Sequence, residues 1–419
     1  MAVLKRMDAS AYVRHAVKAV DDDTLAKAAV IVREVQAGGD SALRSWAQRL
    51  GDLPESGPLV LGADVLKAAY DALPEVDQAL LQRVAARVRA FAQAQRDSLR
   101  DLILAVPGGR AGHTVAPVEA AGCYAPGGRF PLPSSVLMTA ITARTAGVPR
   151  VIVASPRPAQ MTLAAAHVAG ADALLAVGGA QAVAALAYGT DSVGRCDVIV
   201  GPGNRWVTAA KKLVSGDVRI DMLAGPSELL VLADDTADPE TVAADLLGQA
   251  EHDPDAIPVL VTTSDALRDR VDDALERQLA TLPTKDTAAA ALENGLSLLA
   301  TDLDEAIATA NRLAPEHLEV MVADPWSVAP KLEHYGGLFI GAHAAEVLGD
   351  YGSGPNHVLP TGGTARYSGG LSVFDFLRVR TWLEVTDLDD AQVLVDDAVA
   401  LARHEGLEAH ARSAAKRKR

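Results

Sequence analysis

The sequence predicts an α/β protein with two Rossmann-like parallel-sheet domains, a helical N-terminal arm and a small C-terminal helical domain. Short β-branched runs alternate with alanine-rich stretches of helical length, and this alternation implies parallel strands joined by right-handed crossovers. The chain has 419 residues, enough for two or three domains. Hydrophobic residues make up 49% and charged residues 22% of the sequence, which excludes a disordered or fibrous protein.

The first hundred residues are predicted to be mostly helical. Residues 1–25 carry charges throughout and lack the apolar stretch of a signal peptide, so we interpret them as a helical arm. Apolar side chains then recur at three- and four-residue spacing, as in 76–92, which is typical of amphipathic helices. Nothing in this segment has the pattern of a chemical site.

Two series of strands and helices follow. The first has predicted strands at 151–154, 173–177 and 198–200, with predicted helices at 161–169, 179–188 and 204–214. The second begins after a linker at 234–236 and has predicted strands at 259–261, 296–299, 318–322 and 338–340. Past Arg378 the sequence becomes acidic and helical. The most apolar long run, 173–189, is broken by glycines and is too short to span a bilayer.

Charge and cysteine content limit the partners and the compartment. With 39 Lys and Arg against 54 Asp and Glu, the net charge is −15, and such a surface repels phosphate backbones and anionic lipids. We therefore expect neither nucleic acid nor a membrane as a partner. Cys123 and Cys196 are too few for a disulfide framework or a thiolate zinc site. Both are interpreted as structural residues of a protein in the reducing cytoplasm.

Histidine is concentrated where metal or proton chemistry would be sought. Seven of the ten histidines follow residue 250. Gln249 and His252 are three residues apart at the end of a predicted helix, so they share one face. Oxygen and nitrogen ligands on one face can begin a metal site, and a structural cap or a surface pair is the alternative.

Two further groups combine a carboxylate with an imidazole. Glu316 and His317 are adjacent, directly after Pro315, and can supply a base near neutral pH; a solvated loop pair is the alternative. Asp350 and His357 share a glycine-rich loop, where the backbone can approach a ligand closely; an ordinary long turn is the alternative. His404 and His410, six residues apart on a helix, cannot both join one site.

Three glycine-rich turns have the form of phosphate sites. They are Tyr124-Ala-Pro-Gly-Gly, Val177-Gly-Gly-Ala-Gln181 and Val200-Gly-Pro-Gly-Asn204, of which the latter two follow predicted strands. The latter two lead into helices, whose N-terminal N–H groups favour phosphate. No Gly-x-Gly-x-x-Gly fingerprint or P-loop is present, because Trp206 stands where the third glycine is expected. The three turns together indicate a bound nucleotide or phosphate compound.

These stretches resemble the histidinol dehydrogenase family over essentially the whole chain. The stretches that carry the resemblance are the three turns above together with Asp221-Met-Leu-Ala-Gly-Pro-Ser227-Glu, Gln249-Ala-Glu-His252-Asp, Ala314-Pro-Glu316-His317-Leu-Glu, Asp350-Tyr-Gly-Ser-Gly-Pro-Asn-His357, Ser368-Gly-Gly-Leu-Ser and Glu405-Gly-Leu-Glu-Ala-His410. The resemblance implies oxidation of L-histidinol through L-histidinal to L-histidine with two NAD per product. It also implies a zinc ion and a homodimer whose subunits share site residues.

The resemblance assigns roles to individual residues. The implied zinc ligands are Gln249, His252, Asp350 and His410. His317 is the implied base that removes the alcohol proton, and Glu316 is the residue that activates water on the aldehyde. The implied substrate contacts are these six residues together with Ser227, His357 and Glu405, with Glu405 and His410 supplied by the partner subunit. The implied NAD contacts are Tyr124, Gln181 and Asn204.

The same resemblance divides the chain into functional segments. Residues 26–123 and 235–371 are expected to form a metal and catalytic domain, 124–234 the NAD-binding domain and 372–419 a dimerisation segment. Three alternatives remain at this point. They are a family paralogue that oxidises another small alcohol, a zinc hydrolase in which Glu316 activates water, and a non-catalytic metal-binding scaffold.

Overall fold

The computed structural model describes residues 3–13, 19–127 and 131–418. The strands found there are β1 Lys5–Asp8, β2 Val60–Gly62, β3 Leu102–Val106, β4 Gly109–Pro117, β5 Ala120–Tyr124, β6 Arg150–Ala154, β7 Ala173–Leu175, β8 Val198–Val200, β9 Arg219–Ile220, β10 Glu228–Ala233, β11 Ile257–Thr262, β12 Leu296–Leu299, β13 His317–Met321, β14 Gly337–Ile340 and β15 Leu377–Val385. The helices are α1 Asp22–Arg49, α2 Ala63–Asp71, α3 Glu75–Ser98, α4 Pro133–Thr145, α5 Gln160–Ala169, α6 Gly179–Tyr188, α7 Arg205–Val214, α8 Pro239–Ala250, α9 Asp265–Leu279, α10 Lys285–Leu292, α11 Leu303–Leu313, α12 Pro325–Val328, α13 Glu346–Asp350, α14 Gln392–His404 and α15 Glu408–Ala415.

The first sheet has the order β2-β7-β6-β5-β8-β9 and is parallel except for β2. Its inner strands are almost wholly apolar because helices cover both faces. The chain builds outward from β5 to β7 and then returns to place β8 on the other side of β5. At such a reversal the two flanking loops diverge and leave a crevice at the carboxyl ends of the strands. The turns after β5 and β8 border this crevice.

The second sheet has the order β1-β12-β11-β10-β13-β14, with every pair parallel. Its central strand β10 is buried along its whole length and is flanked by β11 and β13. Because α8 runs antiparallel to β10, the end of this helix returns to the amino edge of the sheet. The fold class of two parallel-sheet domains is thereby confirmed.

The N-terminal arm begins with a strand where a helix was predicted, and helix α1 starts only at Asp22. Residues 5–8 form strand β1, which pairs in parallel with β12, and a single 3-10 turn follows at Ala9–Ala11. Burial of Leu4 and the hydrogen bonds from Arg6 to Asp272 hold this strand at the sheet edge. Tertiary contacts therefore override the local helical pattern. Residues 1, 2 and 14–18 of the predicted arm lie outside the described residues.

The packing also differs from the predicted division of the chain. Helices α1 and α2 pack on the first sheet, and strands β2 and β5 belong to it, although we assigned 26–123 to the metal and catalytic domain. Strand β10 starts the second sheet before residue 235. Amphipathic spacing shows that a helix has an apolar face, but it does not show which sheet covers that face.

A third, antiparallel sheet and two helices complete the molecule. Strands β15, β4 and β3 pair in that order and leave Ile103, Leu104 and Leu383 more than half exposed. Helices α14 and α15 enclose a small core of their own around Ala402 and Ala411, as the predicted C-terminal helical domain requires. No helix in the described ranges has the length and hydropathy needed to cross a membrane.

Candidate active site

Glu316 and His317 are held by one residue of the neighbouring strand. Helix α11 ends at Ala314 in the left-handed conformation, and Pro315 then turns the chain into β13. The backbone N–H of Glu228 donates to Glu316 Oε2 at 2.9 Å, and the carbonyl of Glu228 is 3.1 Å from His317 Nδ1. A carbonyl only accepts hydrogen bonds, so Nδ1 carries the hydrogen and Nε2 is left as the basic atom.

Burial shifts the pKa values of His317 and Glu316 in opposite directions. It lowers the pKa of His317 to about 4, so the imidazole is neutral and able to accept a proton at neutral pH. Burial also raises the pKa of Glu316 well above the ordinary carboxyl range, although the hydrogen bond from the Glu228 N–H opposes this. His317 is therefore the base available at neutral pH, whereas Glu316 retains its proton to higher pH.

Potential metal ligands lie beside His317. His252 Nε2 and Asp350 Oδ2 are 3.9 Å apart, and Asp350 Oδ1 is 3.9 Å from His317 Nε2. One ligand atom from each of His252, Asp350 and Glu346 lies within 4.8 Å of the other two. Gln249 occupies the last turn of α8, and both polar atoms of its amide are buried without a hydrogen-bond partner among the described residues. Nitrogen and oxygen donors of these types suit zinc.

The C-terminal site residues are not part of this cluster. Glu405 follows α14, His410 lies on α15, and both side chains are exposed. Within the described part of the chain, only His252, Glu346 and Asp350 converge as a metal-type group. Of the four predicted ligands, the chain thus brings His252 and Asp350 within 3.9 Å of each other, and Gln249 lies in the last turn of α8, a helix that packs against α13.

A pocket of about 100 Å³ joins the two sheets. The turn Gly201, Pro202 and Gly203 after β8 lines one side, and Ser227, Glu316 and His357 line the other; further lining comes from Met222, Ala224, Gly225, Val358, Leu359 and Thr361. The carboxyl edge of the first sheet thus faces the amino edge of the second. Glu316 directly precedes β13 and His317 begins it, in agreement with the predicted strand 318–322.

His357 connects the site to helix α4. Its Nδ1 donates to the backbone carbonyl of Asp350 at 3.0 Å, and its Nε2 is 3.2 Å from the Ser135 hydroxyl. Burial lowers the pKa of His357, so the ring is neutral at neutral pH and Nε2 accepts the hydrogen bond from Ser135. The predicted substrate contacts Ser227 and His357 are therefore close to Glu316, while Glu405 is not.

The turn after β8 is shaped by buried contacts around Gly201. The Gly201 N–H donates to Asp221 Oδ2 at 2.7 Å, and its carbonyl accepts from Lys211 Nζ at 2.9 Å. Lys211 and Asp221 also form a buried ion pair. Asn204 then caps α7 through hydrogen bonds from the N–H groups of Trp206 and Val207.

The other predicted cofactor residues meet at the turn after β7. The Tyr124 hydroxyl accepts from the Gly179 N–H at 3.1 Å, and burial raises the pKa of Tyr124 to about 12. Gln181 is buried, and its Nε2 donates to Asp52 Oδ2 at 3.0 Å. Tyr124 and Gln181 are thus brought together, and Asn204 lies beyond β5 at the β8 turn. Gly128, in the first predicted turn, lies outside the described residues.

Comparison with known proteins decides the family. The sequence profile of the histidinol dehydrogenase family matches residues 15–418. A histidinol dehydrogenase of Rhizobium meliloti is 46% identical over 407 residues, covering 94% of this chain and 92% of its own. The Thermus thermophilus protein of that name is 48% identical over 388 residues, covering 91% and 92%. The chain belongs to the histidinol dehydrogenase family.

The solved structure of a relative agrees over the whole fold. A crystal structure of histidinol dehydrogenase from Elizabethkingia anophelis superposes with a TM-score of 0.93 at 31% identity and covers 100% of this chain and 98% of its own. The chain is therefore an oxidoreductase of amino-acid biosynthesis that acts on histidinol at the last step of histidine biosynthesis.

Two residues near the site, Glu346 and Asp52, were not predicted from the sequence. Glu346 is buried, no described residue donates a hydrogen bond to its carboxyl oxygens, and Oε1 is 3.8 Å from His317 Nε2. Its four-residue spacing from Asp350 on one helix face is a signal that could have identified it. Asp52 reaches the β7 turn from the far end of α1. No local pattern marks Asp52, because its contacts are more than 120 residues away in sequence.

Proposed function

We propose that this histidinol dehydrogenase oxidises L-histidinol through L-histidinal to L-histidine with two NAD per product, and that it holds a zinc ion. The observation that carries the proposal is the pair Glu316 and His317, fixed by the Glu228 backbone in a pocket between metal-type ligands and a glycine turn. A base, a carboxyl group, a metal site and a dinucleotide turn are the parts that an alcohol-to-acid oxidation requires.

The donor set fits zinc. The buried amide of Gln249 lacks a partner, and an orphaned polar atom of this kind is satisfied when it coordinates a metal. Gln249, His252 and Asp350 would hold the ion together with His410 of the partner subunit. Bound zinc supplies a Lewis-acidic anchor for the imidazole and amine of the substrate. His252 is exposed, which leaves room for such a ligand.

His317 is assigned the first proton transfer. Its Nε2 accepts the proton of the alcohol as the hydride leaves for the nicotinamide ring. The imidazolium that results has Asp350 Oδ1 at 3.9 Å, and this carboxylate stabilises its charge. Glu346 Oε1 lies at 3.8 Å, on a carboxyl group whose pKa burial raises. The carbonyl of Glu228 holds the ring in place during the transfer.

Glu316 is assigned the hydration of the aldehyde. In its deprotonated form, which its raised pKa shifts to higher pH, its carboxylate would remove a proton from water, and the hydroxide oxygen would then bond to the carbonyl carbon of L-histidinal. The hydrate gives up the second hydride and becomes the acid. The Glu228 N–H holds Oε2, so the other oxygen of Glu316 is the one directed at water. Ser227 and His357 line the same pocket and would contact the substrate.

A homodimer supplies the remaining residues. Glu405 and His410 are exposed and stand apart from the cluster of their own subunit, and the apolar face of the third sheet is uncovered. We infer that each active site takes Glu405 and His410 from the partner subunit. We also infer a cytoplasmic location, which the two buried, unpaired cysteines support.

Steady-state turnover tests the proposal. Purified protein loaded with zinc is incubated with NAD and either L-histidinol or L-histidinal, and NADH and L-histidine are measured. We expect two NADH for each L-histidine formed from L-histidinol and one from L-histidinal. Formation of NADH from another small alcohol, but none from L-histidinol, would overturn the assigned substrate. Full activity of protein stripped of zinc and assayed with a chelator would overturn the role of the metal.

A further inference from the structure

Asp52 places a carboxylate on the turn that follows β7. It lies just after α1, where Gly51 adopts a left-handed conformation, and its own N–H donates to the carbonyl of Ala47 at 2.8 Å. Asp52 Oδ2 accepts hydrogen bonds at 3.0 Å from both the Gly178 N–H and Gln181 Nε2. These contacts fix the carboxylate in one position.

The second oxygen of Asp52 remains available. Among the described residues, none donates a hydrogen bond to Oδ1 and no lysine or arginine forms an ion pair with this carboxylate. The residue is half-buried, so the oxygen can meet a ligand. A fixed carboxylate with a spare oxygen and no compensating cation favours a neutral hydrogen-bond donor and disfavours an anion.

The strand order indicates which end of the dinucleotide meets Asp52. The nicotinamide must lie at the pocket that contains Glu316, beside the β8 turn, because the substrate transfers its hydride directly to that ring. From β8 the sheet continues through β5 and β6 to β7, so the β7 turn is three strand spacings, about 14 Å, away. The adenosine end of an extended dinucleotide therefore reaches the β7 turn.

We propose that Asp52 binds the ribose hydroxyls at the adenosine end and makes the enzyme selective for NAD over NADP. The inference rests on the proposed function, since it assumes that the dinucleotide crosses the first sheet. A carboxylate accepts hydrogen bonds from ribose hydroxyls in many dinucleotide-binding folds. The 2′-phosphate of NADP would bring a second anion against Asp52.

Binding by the unmodified enzyme gives the first test. Isothermal titration calorimetry compares ADP-ribose with 2′-phospho-ADP-ribose, which differ only in the phosphate. We expect ADP-ribose to bind at least about tenfold more tightly, equivalent to about 1.4 kcal/mol. Equal binding of the two probes would overturn the inference. Because no substitution is involved, a folding defect cannot obscure this result.

Substitution gives the second test. In D52N and D52S the ratio of kcat/KM with NADP to kcat/KM with NAD should rise at least about tenfold, since the fixed charge is removed. D71N is the matched control, because Asp71 loses the same charge from a surface ion pair with Lys67. An equal fall in kcat/KM with NAD and with NADP would show that Asp52 only supports the turn, and would overturn the inference. Absence of NAD reduction by L-histidinol in the unmodified enzyme would instead overturn the proposed function.

Discussion

At the scale of single residues, Glu228 organises the chemistry through its backbone. Its N–H fixes the carboxylate of Glu316, and its carbonyl fixes the ring of His317. Because both contacts use main-chain atoms at the start of a central strand, a side-chain substitution at position 228 leaves them in place. The backbone of a single residue therefore positions both functional groups.

Substitution of these two groups should separate the two oxidations. H317N removes the base for the alcohol, so we expect turnover from L-histidinol to fall roughly 100-fold or more and turnover from supplied L-histidinal to fall less. E316Q removes the group that activates water, so the larger loss should occur with L-histidinal. Stopped-flow measurement of NADH with each substrate checks this. Equal losses on both substrates in either variant would refute the division of roles.

Gly201 shows the steric demand of the cofactor turn. Its φ is 114°, and an added Cβ would lie 2.0 Å from the Tyr124 carbonyl oxygen. We expect G201A to lose about 3 kcal/mol of unfolding free energy and to raise the KM for NAD. Gly216 also has a positive φ, 106°, but a Cβ added there would have no atom within 4 Å. G216A is therefore the matched control. Chemical denaturation measures the unfolding free energy, and steady-state kinetics measure the KM for NAD. Equal values of both quantities in G201A and G216A would contradict the prediction.

At the scale of elements, the regular α/β units could be predicted and their long-range partners could not. Predicted strand 151–154 and helix 161–169 correspond to β6 and α5 within one residue, because buried strands and alanine-rich helices have strong local patterns. Strand β1 was missed because four residues at a sheet edge are defined by pairing with β12, not by periodicity.

The candidate site was predictable to a similar extent. Glu316, His317, His252 and Asp350 occur in motifs that the family resemblance recognises, and the structure brings them together. The placement of His317 at the amino end of β13 agrees with the predicted strand 318–322, which His317 directly precedes. The pocket between the two sheets was not predictable, since it depends on how the first sheet packs against the second. Glu405 and His410 have family motifs as well, but the role proposed for them requires a second chain.

At the scale of the whole molecule, shared sites predict complementation between two inactive variants. H252N and H410N should each be inactive alone. A mixed dimer contains one site with the native His252 of one subunit and the native His410 of the other, so coexpression should restore up to about half the activity per dimer. Activity and zinc content of the purified heterodimer check this. No recovery would show that His410 serves its own subunit.

Buried carboxyls should make the metal-free protein less stable at higher pH. Burial raises the pKa values of Asp245, Glu319 and Glu346, so the folded state retains protons that the unfolded state releases. This stability is full below the ordinary carboxyl pKa, near pH 4.5, and is lost as pH rises through the raised values. The melting temperature of E319Q should therefore fall less between about pH 5 and pH 8 than that of the unmodified protein.

Scanning calorimetry in the presence of a chelator measures this difference. Glu333 is an exposed carboxyl, so E333Q is the control and should follow the unmodified protein. A pH dependence in E319Q as steep as that of the unmodified protein would contradict the assignment.

Strand β1 also has a consequence for the state of the protein in solution. It covers the edge of β12, whose backbone N–H and C=O groups would otherwise be open to pairing with another chain. The hydrogen bonds between Arg6 and Asp272 hold that cover in place. Residues 5–8, which carry none of the chemistry, therefore protect the protein against aggregation through the sheet edge.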